Sequence, residues 1–322
     1  MSDILKRDAM PGAKAANRVS RLQELGQKDR SLQYSAESVR GRQVKVFRPR
    51  SMIGLLRLYA GNPDALIYAG GTEIIPRAAR GKDRRLKLPE RVIYLGNVAE
   101  LFRISRSQRY LDIGACLPLS RILGIGRNII PRVLYEALSS IGNPAVRNLA
   151  TLGGNICSPR NDSLTALNVI EARLELRSLA GARWVTVSQF FLHQAGNILD
   201  RGEILARIRI PLEDWDYHVF RKVGSFLSPA LISFAGTVRL GKGIIELFRF
   251  SIGGAGESLF RSRELEARLE GRGLPVPARE IEGLLSNLTG RLGPADNAAA
   301  LYRRETALRL LRSFLDNINQ NG

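Results

Sequence analysis

Residues 68–76 read YAGGTEIIP and place two adjacent glycines, Gly70 and Gly71, directly after the apolar run 65–69. Glycine weakens the interior of a strand, so a glycine pair at the end of an apolar run indicates a backbone bend or the close approach of another group to the main chain. Two interpretations are open: an ordinary tight turn, or a turn whose bare backbone amides receive an anion.

A second glycine pair occurs in RNLATLGGNICSPRNDS, residues 147–163, where Gly153 and Gly154 follow Thr151. Successive backbone amides in such bends can form a concave nest that holds an anion through converging N–H dipoles. If the two bends meet in space, they can hold a diphosphate by charge-assisted hydrogen bonds of about 1.5–3 kcal/mol each. Neither bend fits the dinucleotide fingerprint Gly-x-Gly-x-x-Gly or the phosphate loop that ends in Lys-Ser/Thr.

The composition is that of a globular protein with an excess of basic residues. At 322 residues the chain is long enough for two or three modules with their own cores. The 49 Lys and Arg outnumber the 30 Asp and Glu, and the net charge of +19 favours association with a polyanion such as nucleic acid, a membrane or an acidic subunit. No motif for reading a nucleic-acid sequence, no membrane span and no apolar leader is found, so we expect a cytoplasmic protein without a specific nucleic-acid partner.

Cysteine and histidine are too few for a metal cluster or a disulfide framework. The two cysteines, Cys116 and Cys157, are far apart in sequence and flank apolar segments, which is typical of buried thiols in a reducing compartment. The two histidines, His193 and His218, stand in no grouping with metal-ligand spacing. We therefore predict no metal ion bound by this chain.

The chain divides into three parts. Residues 1–42 are polar and basic, with a short possible helix at 13–25, and are predicted to form a mobile extension that is either disordered or a docking segment for an acidic partner. The folded body begins near residue 43. After a linker at 212–216 the pattern changes to a meander of strands followed by helices, which predicts a second module at 216–322.

Hydrophobic periodicity gives the elements of both modules. Strands are predicted at 65–69, 91–98, 110–116, 173–177, 203–211, 217–223, 231–240 and 244–253. Helices are predicted after the N-caps Ser51 and Ser120, at 131–141 and 164–170, and within 262–271 and 305–318. Residues 142–163 are predicted to be a long irregular loop, which is uncommon unless it has a function.

The two glycine stretches in their context resemble the FAD-binding, or medium, subunit of the molybdenum hydroxylases, the family of xanthine dehydrogenases and aerobic carbon monoxide dehydrogenases. The resemblance rests on YAGGTEIIP and on IGNPAVRNLATLGGNICSPRNDSLTALNVIEARLEL, residues 141–176. It extends to VFRPRSM, EILARIRIP, FRKVGS, FSIGGAGESLFRSRELEARLEG and YRRETALRLLRSFL, and leaves only about the first forty residues unmatched.

This resemblance implies an α+β fold of the vanillyl-alcohol-oxidase-like, PCMH-type. It consists of two α+β subdomains that bind FAD and a C-terminal domain with a three-stranded antiparallel sheet and helices. The FAD-binding domain would span 43–215, with subdomains at about 43–98 and 99–215, and the C-terminal flavoprotein domain would span 216–322.

The resemblance also implies the cofactor-binding residues. The two bends would carry the FAD diphosphate through Ile67, Tyr68, Ala69, Gly70, Gly71, Thr72, Glu73, Ile74, Thr151, Gly153, Gly154 and Asn155. Asp162 would accept ribose hydroxyls on the adenosine side, whereas Leu205 and Lys222 would lie near the flavin ring, with the lysine stabilising negative charge on reduced flavin.

Some of these residues have a second interpretation. Asp162 is also a plausible N-cap of the helix at 164–170, and the two roles are compatible. Arg147 is equally consistent with a phosphate ligand, a surface cation or the partner of an acidic residue. We expect Glu73 to act through its backbone, because its carboxylate would repel phosphate.

One segment departs from the family pattern. Residues 157–161 are shorter than the common NASPIGD form, and Arg160 and Asn161 replace smaller residues, so the contacts on the adenosine side stay open. Two cysteines cannot supply the additional four-iron cluster of the benzoyl-coenzyme A reductase branch.

The function implied by the resemblance is electron transfer within a hetero-oligomeric oxidoreductase. A molybdenum-cofactor subunit oxidises the substrate, a subunit with 2Fe-2S clusters relays the electrons, and this chain takes them on FAD and passes them to NAD+ or another acceptor. No catalytic residue is expected on this chain. The alternatives are a stand-alone flavoenzyme of the same fold superfamily and a basic binding protein that has lost the flavin.

Overall fold

The computed structural model describes residues 34–39, 42–78, 88–158, 162–191, 199–224, 231–255, 259–293 and 295–321. Residues 1–33 of the predicted extension, with the helix at 13–25, lie outside these ranges, as do Arg160, Asn161 and His193. None of the helices in these ranges has both the length and the apolar composition needed to cross a lipid bilayer.

The first sheet contains four strands in the order β1-β2-β4-β3. The strands are β1 (Tyr34–Val39), β2 (Arg42–Phe47), β3 (Leu66–Tyr68) and β4 (Arg91–Tyr94). Strands β1 and β2 pair antiparallel, whereas β4 pairs parallel with both β2 and β3. Strand β1 thus belongs to a sheet although it falls within the segment 1–42 that we predicted to be an extension.

Helix α1 (Met52–Gly61) connects β2 to β3, and α2 (Ile74–Ala78) follows β3. Ser51 caps α1 as predicted, because its hydroxyl accepts a hydrogen bond from the Gly54 N–H at 3.2 Å. The helix buries Leu55 and Leu58 against the sheet. The YAGGTEIIP segment therefore runs from the end of a strand into a short helix.

The second sheet contains five antiparallel strands in the order β5-β6-β9-β7-β8. The strands are β5 (Ile104–Arg106), β6 (Tyr110–Gly114), β7 (Arg173–Ser178), β8 (Gly181–Thr186) and β9 (Ile204–Pro211). A 3-10 turn, Ala99–Phe102, precedes β5. In the central strand β9, Ile204, Leu205 and Ala206 are all buried because the first half of the strand packs against both the first and the second subdomain.

Within the described ranges, six helices accompany the second sheet. They are α3 (Leu119–Leu123), α4 (Arg132–Ser139), α5 (Pro144–Leu149), α6 (Leu152–Ile156), α7 (Leu164–Val169) and α8 (Val187–Phe190). Two predictions are corrected. Ser120 lies inside α3, whose N-cap is Pro118. The stretch 142–163 contains α5 and α6, because Asn143 with Pro144 and then Thr151 supply two helix starts in succession.

The C-terminal module has a third, antiparallel sheet in the order β10-β11-β12-β13. Its strands are β10 (Tyr217–Val223), β11 (Ile232–Gly241), β12 (Ile244–Gly253) and β13 (Leu259–Phe260), so a two-residue strand joins the three predicted ones. Helices α9 (Arg263–Ala267), α10 (Ala278–Arg291) and α11 (Ala298–Asn321) complete the module, with Phe234, Phe248 and Phe314 in its core. The predicted α+β class is confirmed.

Helix α7 of the second subdomain packs against the C-terminal module. All six of its residues are buried, and the Asn168 side chain donates a 3.0 Å hydrogen bond to Ser251 Oγ of β12. The C-terminal sheet therefore packs directly on the second subdomain.

Candidate cofactor cleft

The two glycine bends meet in space. A Cβ placed on Gly70 would lie 1.9 Å from the carbonyl oxygen of Leu149 and 3.3 Å from Cα of Ala150, the residue before Thr151. Real Cβ atoms do not approach a carbonyl oxygen this closely, so only glycine allows the main chains to pack together here. The geometry that the paired-bend hypothesis required is present.

One cleft of about 810 Å³ opens between the bends. Fourteen of the fifteen predicted site residues line it, including Asp162, Leu205 and Lys222. The exception is Tyr68, whose hydroxyl would lie 2.0 Å from a Cβ on Gly71. Tyr68 therefore packs against Gly71 and does not line the cleft.

The first bend presents free backbone donors. Gly71 has φ +69°, a conformation that favours glycine, and its carbonyl accepts a hydrogen bond from Ile75 N–H at 2.9 Å. The N–H groups of Gly70, Gly71 and Thr72 have no acceptor among the described residues. Three successive amides without acceptors have the character expected of an anion nest.

The second bend differs from this prediction. Gly153 N–H donates to the Ala115 carbonyl at 2.8 Å, and Gly154 N–H donates to Thr151 Oγ1 at 3.0 Å. The N–H of Asn155 donates to the Thr151 carbonyl at 2.9 Å. These amides are satisfied within the protein because the pair lies in the first turn of α6, with Thr151 as its N-cap. A Cβ on Gly153 would lie 2.6 Å from that of Ala115, so this glycine serves helix packing.

Asp162 and Lys222 form an ion pair in the wall of the cleft. Lys222 Nζ lies 2.5 Å from Asp162 Oδ2, and each side chain is 9% exposed. The resemblance implies that Asp162 lies on the adenosine side of FAD and Lys222 near the flavin ring. In this conformation the two side chains are paired and face the same part of the cleft.

Two further residues act differently from their predicted roles. The Arg147 guanidinium donates hydrogen bonds to the carbonyls of Ser139, Ile141 and Gly142 at 3.2, 3.1 and 2.7 Å, so it stabilises the carboxyl end of α4. The helix that follows Asp162 has its N-cap at Ser163, without a side-chain capping bond. Asp162 is therefore not the cap.

Asn155 connects the second bend to the ion pair. Its Oδ1 accepts a 2.5 Å hydrogen bond from the hydroxyl of Ser163, which is adjacent to Asp162. This hydrogen bond ties the second bend to the residue before α7.

Two models of known protein families match this chain. The model described as FAD binding domain in molybdopterin dehydrogenase matches residues 42–213, more than half of the chain. The chain belongs to this FAD-binding family. A second model, CO dehydrogenase flavoprotein C-terminal domain, matches residues 227–318. The chain is therefore an FAD-binding subunit of the molybdenum hydroxylase type, FAD is its cofactor, and the resemblance found in the sequence is confirmed.

Relatives of similar length share about a quarter of the residues. The glyceraldehyde dehydrogenase medium chain of Sulfolobus acidocaldarius is 27% identical over 268 residues, which cover 80% of this chain and 92% of the relative. The xanthine dehydrogenase FAD-binding subunit of Escherichia coli O157:H7 is 25% identical over 280 residues, 84% of this chain and 93% of the relative.

A solved structure shares the fold. A chain of carbon monoxide dehydrogenase from Hydrogenophaga pseudoflava superposes with a TM-score of 0.74 at 23% identity, covering 84% of this chain and 95% of the other. The predicted PCMH-type fold of FAD-binding subunits is confirmed.

The cleft also contains residues that were not predicted from the sequence, among them Tyr59, Cys116 and Glu203. Glu203 receives hydrogen bonds from Arg183 at 2.8 and 2.7 Å, which lower the pKa of its carboxyl group against the opposing effect of burial. Burial, together with the neighbouring Cys157, raises the pKa of the Cys116 thiol to about 12. These residues belong to no local motif, so only the assembled fold identifies them.

Proposed function

We propose that this chain is the electron-transfer subunit of a molybdenum hydroxylase complex, in which it takes electrons from a 2Fe-2S subunit and passes them to NAD+ or another acceptor. The observation that carries the proposal is that both glycine bends and the Asp162–Lys222 pair line one cleft of about 810 Å³, in a chain of an FAD-binding family. Bound FAD supplies the redox chemistry, whereas the protein supplies binding and electrostatics.

The first bend is the part of the cleft that fits a diphosphate. Gly70, Gly71 and Thr72 offer N–H donors that have no acceptor within the described ranges. Each charge-assisted hydrogen bond to phosphate contributes about 1.5–3 kcal/mol. The main chain of Leu149, just before the second bend, packs against Gly70 and so holds the first bend in position.

Lys222 and Asp162 act on one part of the bound cofactor. The ammonium group of Lys222 is a source of positive charge for a cofactor that becomes more negative when it accepts electrons, and the carboxylate of Asp162 is an acceptor for hydroxyl groups. Their mutual hydrogen bond fixes both side chains before binding. Leu205, which is 6% exposed, adds an apolar surface that excludes water from this part of the cleft.

The proposed partners are supported by the relatives, which are named a medium chain and an FAD-binding subunit. We expect a molybdenum-cofactor subunit, which selects and oxidises the substrate, and a 2Fe-2S subunit. The net charge of +19 would favour acidic surfaces on these partners. Two free thiols fit a reducing cytoplasm.

The test is purification of the native protein from its own cells under gentle conditions. We expect a complex larger than this chain that contains molybdenum, iron, acid-labile sulfide and one FAD for each copy of this chain. Anaerobic addition of NADH should bleach the flavin absorbance if NAD+ is the acceptor. A flavin-containing protein that migrates as the single chain would instead support a stand-alone flavoenzyme. A colourless single chain that takes up no added FAD would contradict the proposal.

A further inference from the structure

A second cleft, of about 530 Å³, lies where the five-stranded sheet meets the C-terminal module. It is built from the start of β6 and β7, the ends of β8 and β9, and the segment that leads from β13 into α9. No residue within the described ranges lines both this cleft and the cofactor cleft. Among the residues that the structure describes, five arginines but only two glutamates line it: Arg109, Arg173, Arg209, Arg261, Arg263, Glu171 and Glu213.

Both glutamates are already neutralised by arginines. Glu171 pairs with Arg263 at 2.8 Å, Arg261 at 3.1 Å and Arg249 at 3.7 Å. Glu213 pairs with Arg249 at 3.1 Å. Neither carboxylate is therefore left to balance the remaining positive charge of the cleft.

Two arginines of the cleft have no acidic partner within the part of the chain that the structure describes. Arg109 and Arg173 are both exposed, and neither side chain makes an ion pair or hydrogen bond there. Arg173 lies directly opposite Arg209 in the β7–β9 ladder. Because Arg209 is itself paired with Asp112, the unbalanced positive charge at this ladder position is that of Arg173.

The arginines are held on both sides of one strand. The carbonyl of Arg109 accepts a 2.8 Å hydrogen bond from Leu212 N–H just beyond β9, whereas Arg173 pairs with β9 from the other side. Arg209, between them, is fixed by Asp112 through two hydrogen bonds of 2.8 Å. Tyr110, 40% exposed, lines the same cleft with its ring 5.3 Å from the Arg209 guanidinium.

We propose that this cleft binds a phosphorylated small molecule whose phosphate is held by Arg109 and Arg173. The planar guanidinium fork matches phosphate oxygens in two-point hydrogen bonds. A volume of about 530 Å³ lies within the range of small-molecule sites. The partly exposed Tyr110 ring provides an apolar surface in the same cleft against which a flat group of the ligand can pack.

The proposal is tested by titrating the FAD-loaded full chain with inorganic pyrophosphate in a calorimeter at low and high salt. We expect saturable binding that weakens as salt rises, and a loss of at least about tenfold in affinity in the double variant R109Q/R173Q. The control R309Q removes an exposed arginine of α11 and should bind like the wild type. Circular dichroism checks that the variants fold.

The result does not depend on the proposed function of the cofactor cleft. Flavin absorbance is followed during the titration, so displacement of FAD by pyrophosphate is seen separately. The wild type, the double variant and the control are also titrated without FAD. Binding that is lost in the double variant but kept in the control is assigned to this cleft. The absence of saturable binding at millimolar pyrophosphate would overturn the proposal. Equal binding by the double variant and the control would do so as well.

Discussion

Lys222 of β10 and Asp162, just before α7, form a buried ion pair at 2.5 Å that connects the C-terminal module to the FAD-binding domain in the wall of the cofactor cleft. Removing two charges from water is costly, and their attraction offsets this cost only when the geometry is good. Loss of one partner leaves an uncompensated buried charge. The pair is therefore both a contact between the modules and a fixed element of the cleft.

Single neutralisation of this pair should destabilise the protein more than double neutralisation. We expect D162N or K222M alone to lower the free energy of unfolding by about 3–5 kcal/mol and D162N/K222M to lower it by less. Urea unfolding of the FAD-free chain, analysed as a double-mutant cycle, measures the coupling. Additive effects of the two substitutions would show that the pair does not form in solution.

Gly70 should be intolerant of any side chain. In G70A the new Cβ meets the Leu149 carbonyl oxygen at 1.9 Å, so the two bends must separate. We expect a lower melting temperature and a loss of FAD from the purified protein, read from the ratio of flavin to protein absorbance.

The matched control for that substitution is G61A. A Cβ on Gly61, in the last position of α1, meets no atom within 4 Å. Alanine there should be neutral or stabilising by up to about 1 kcal/mol. Full FAD occupancy in a folded G70A protein would contradict the role assigned to the contact between the bends.

Local patterns predicted the elements but not their contacts. The Ser51 cap, the strand before Gly70 and the meander of β10, β11 and β12 are visible in the sequence because each depends on residues a few positions apart. The loop at 142–163 was misread, since short helices such as α5 and α6 have too few residues for a hydrophobic period and are identified only by their caps.

The candidate site could be predicted as a set of residues but not as an arrangement. Both glycine bends were found, yet only the fold shows that Gly153 packs on Ala115. Lys222 and Asp162 are 60 residues apart, and nothing local to either one indicates that they pair. Long-range partners are set by the packing of whole sheets, which a single sequence does not display.

Thr151 should stabilise the second bend through its hydroxyl. Its Oγ1 accepts the Gly154 N–H at 3.0 Å as the N-cap of α6, and the residue is 6% exposed. We expect T151A to lower the free energy of unfolding by about 0.5–2 kcal/mol, whereas T151S keeps the acceptor and should lose less. Urea unfolding of both variants measures the difference, and equal losses would show that the methyl group rather than the cap matters.

Glu171 should make the stability of the protein depend on pH. It has φ +55° in the turn between α7 and β7, and three arginines of the C-terminal module surround its carboxylate. Burial opposes ionisation of this group, but the attraction of Arg249, Arg261 and Arg263 outweighs it and lowers the pKa below its ordinary value of 4.5.

A carboxyl group whose pKa is lower in the folded than in the unfolded state stabilises the fold when it is ionised in both states. This contribution is fully present above the unfolded pKa of about 4.5 and is lost as the pH falls through the folded value. We therefore expect E171Q to be less stable than the wild type at about pH 7, and the difference to shrink below about pH 4.5. Urea unfolding of both proteins across this range measures it. A difference that stays constant with pH would show that the three arginines do not favour the ionised form.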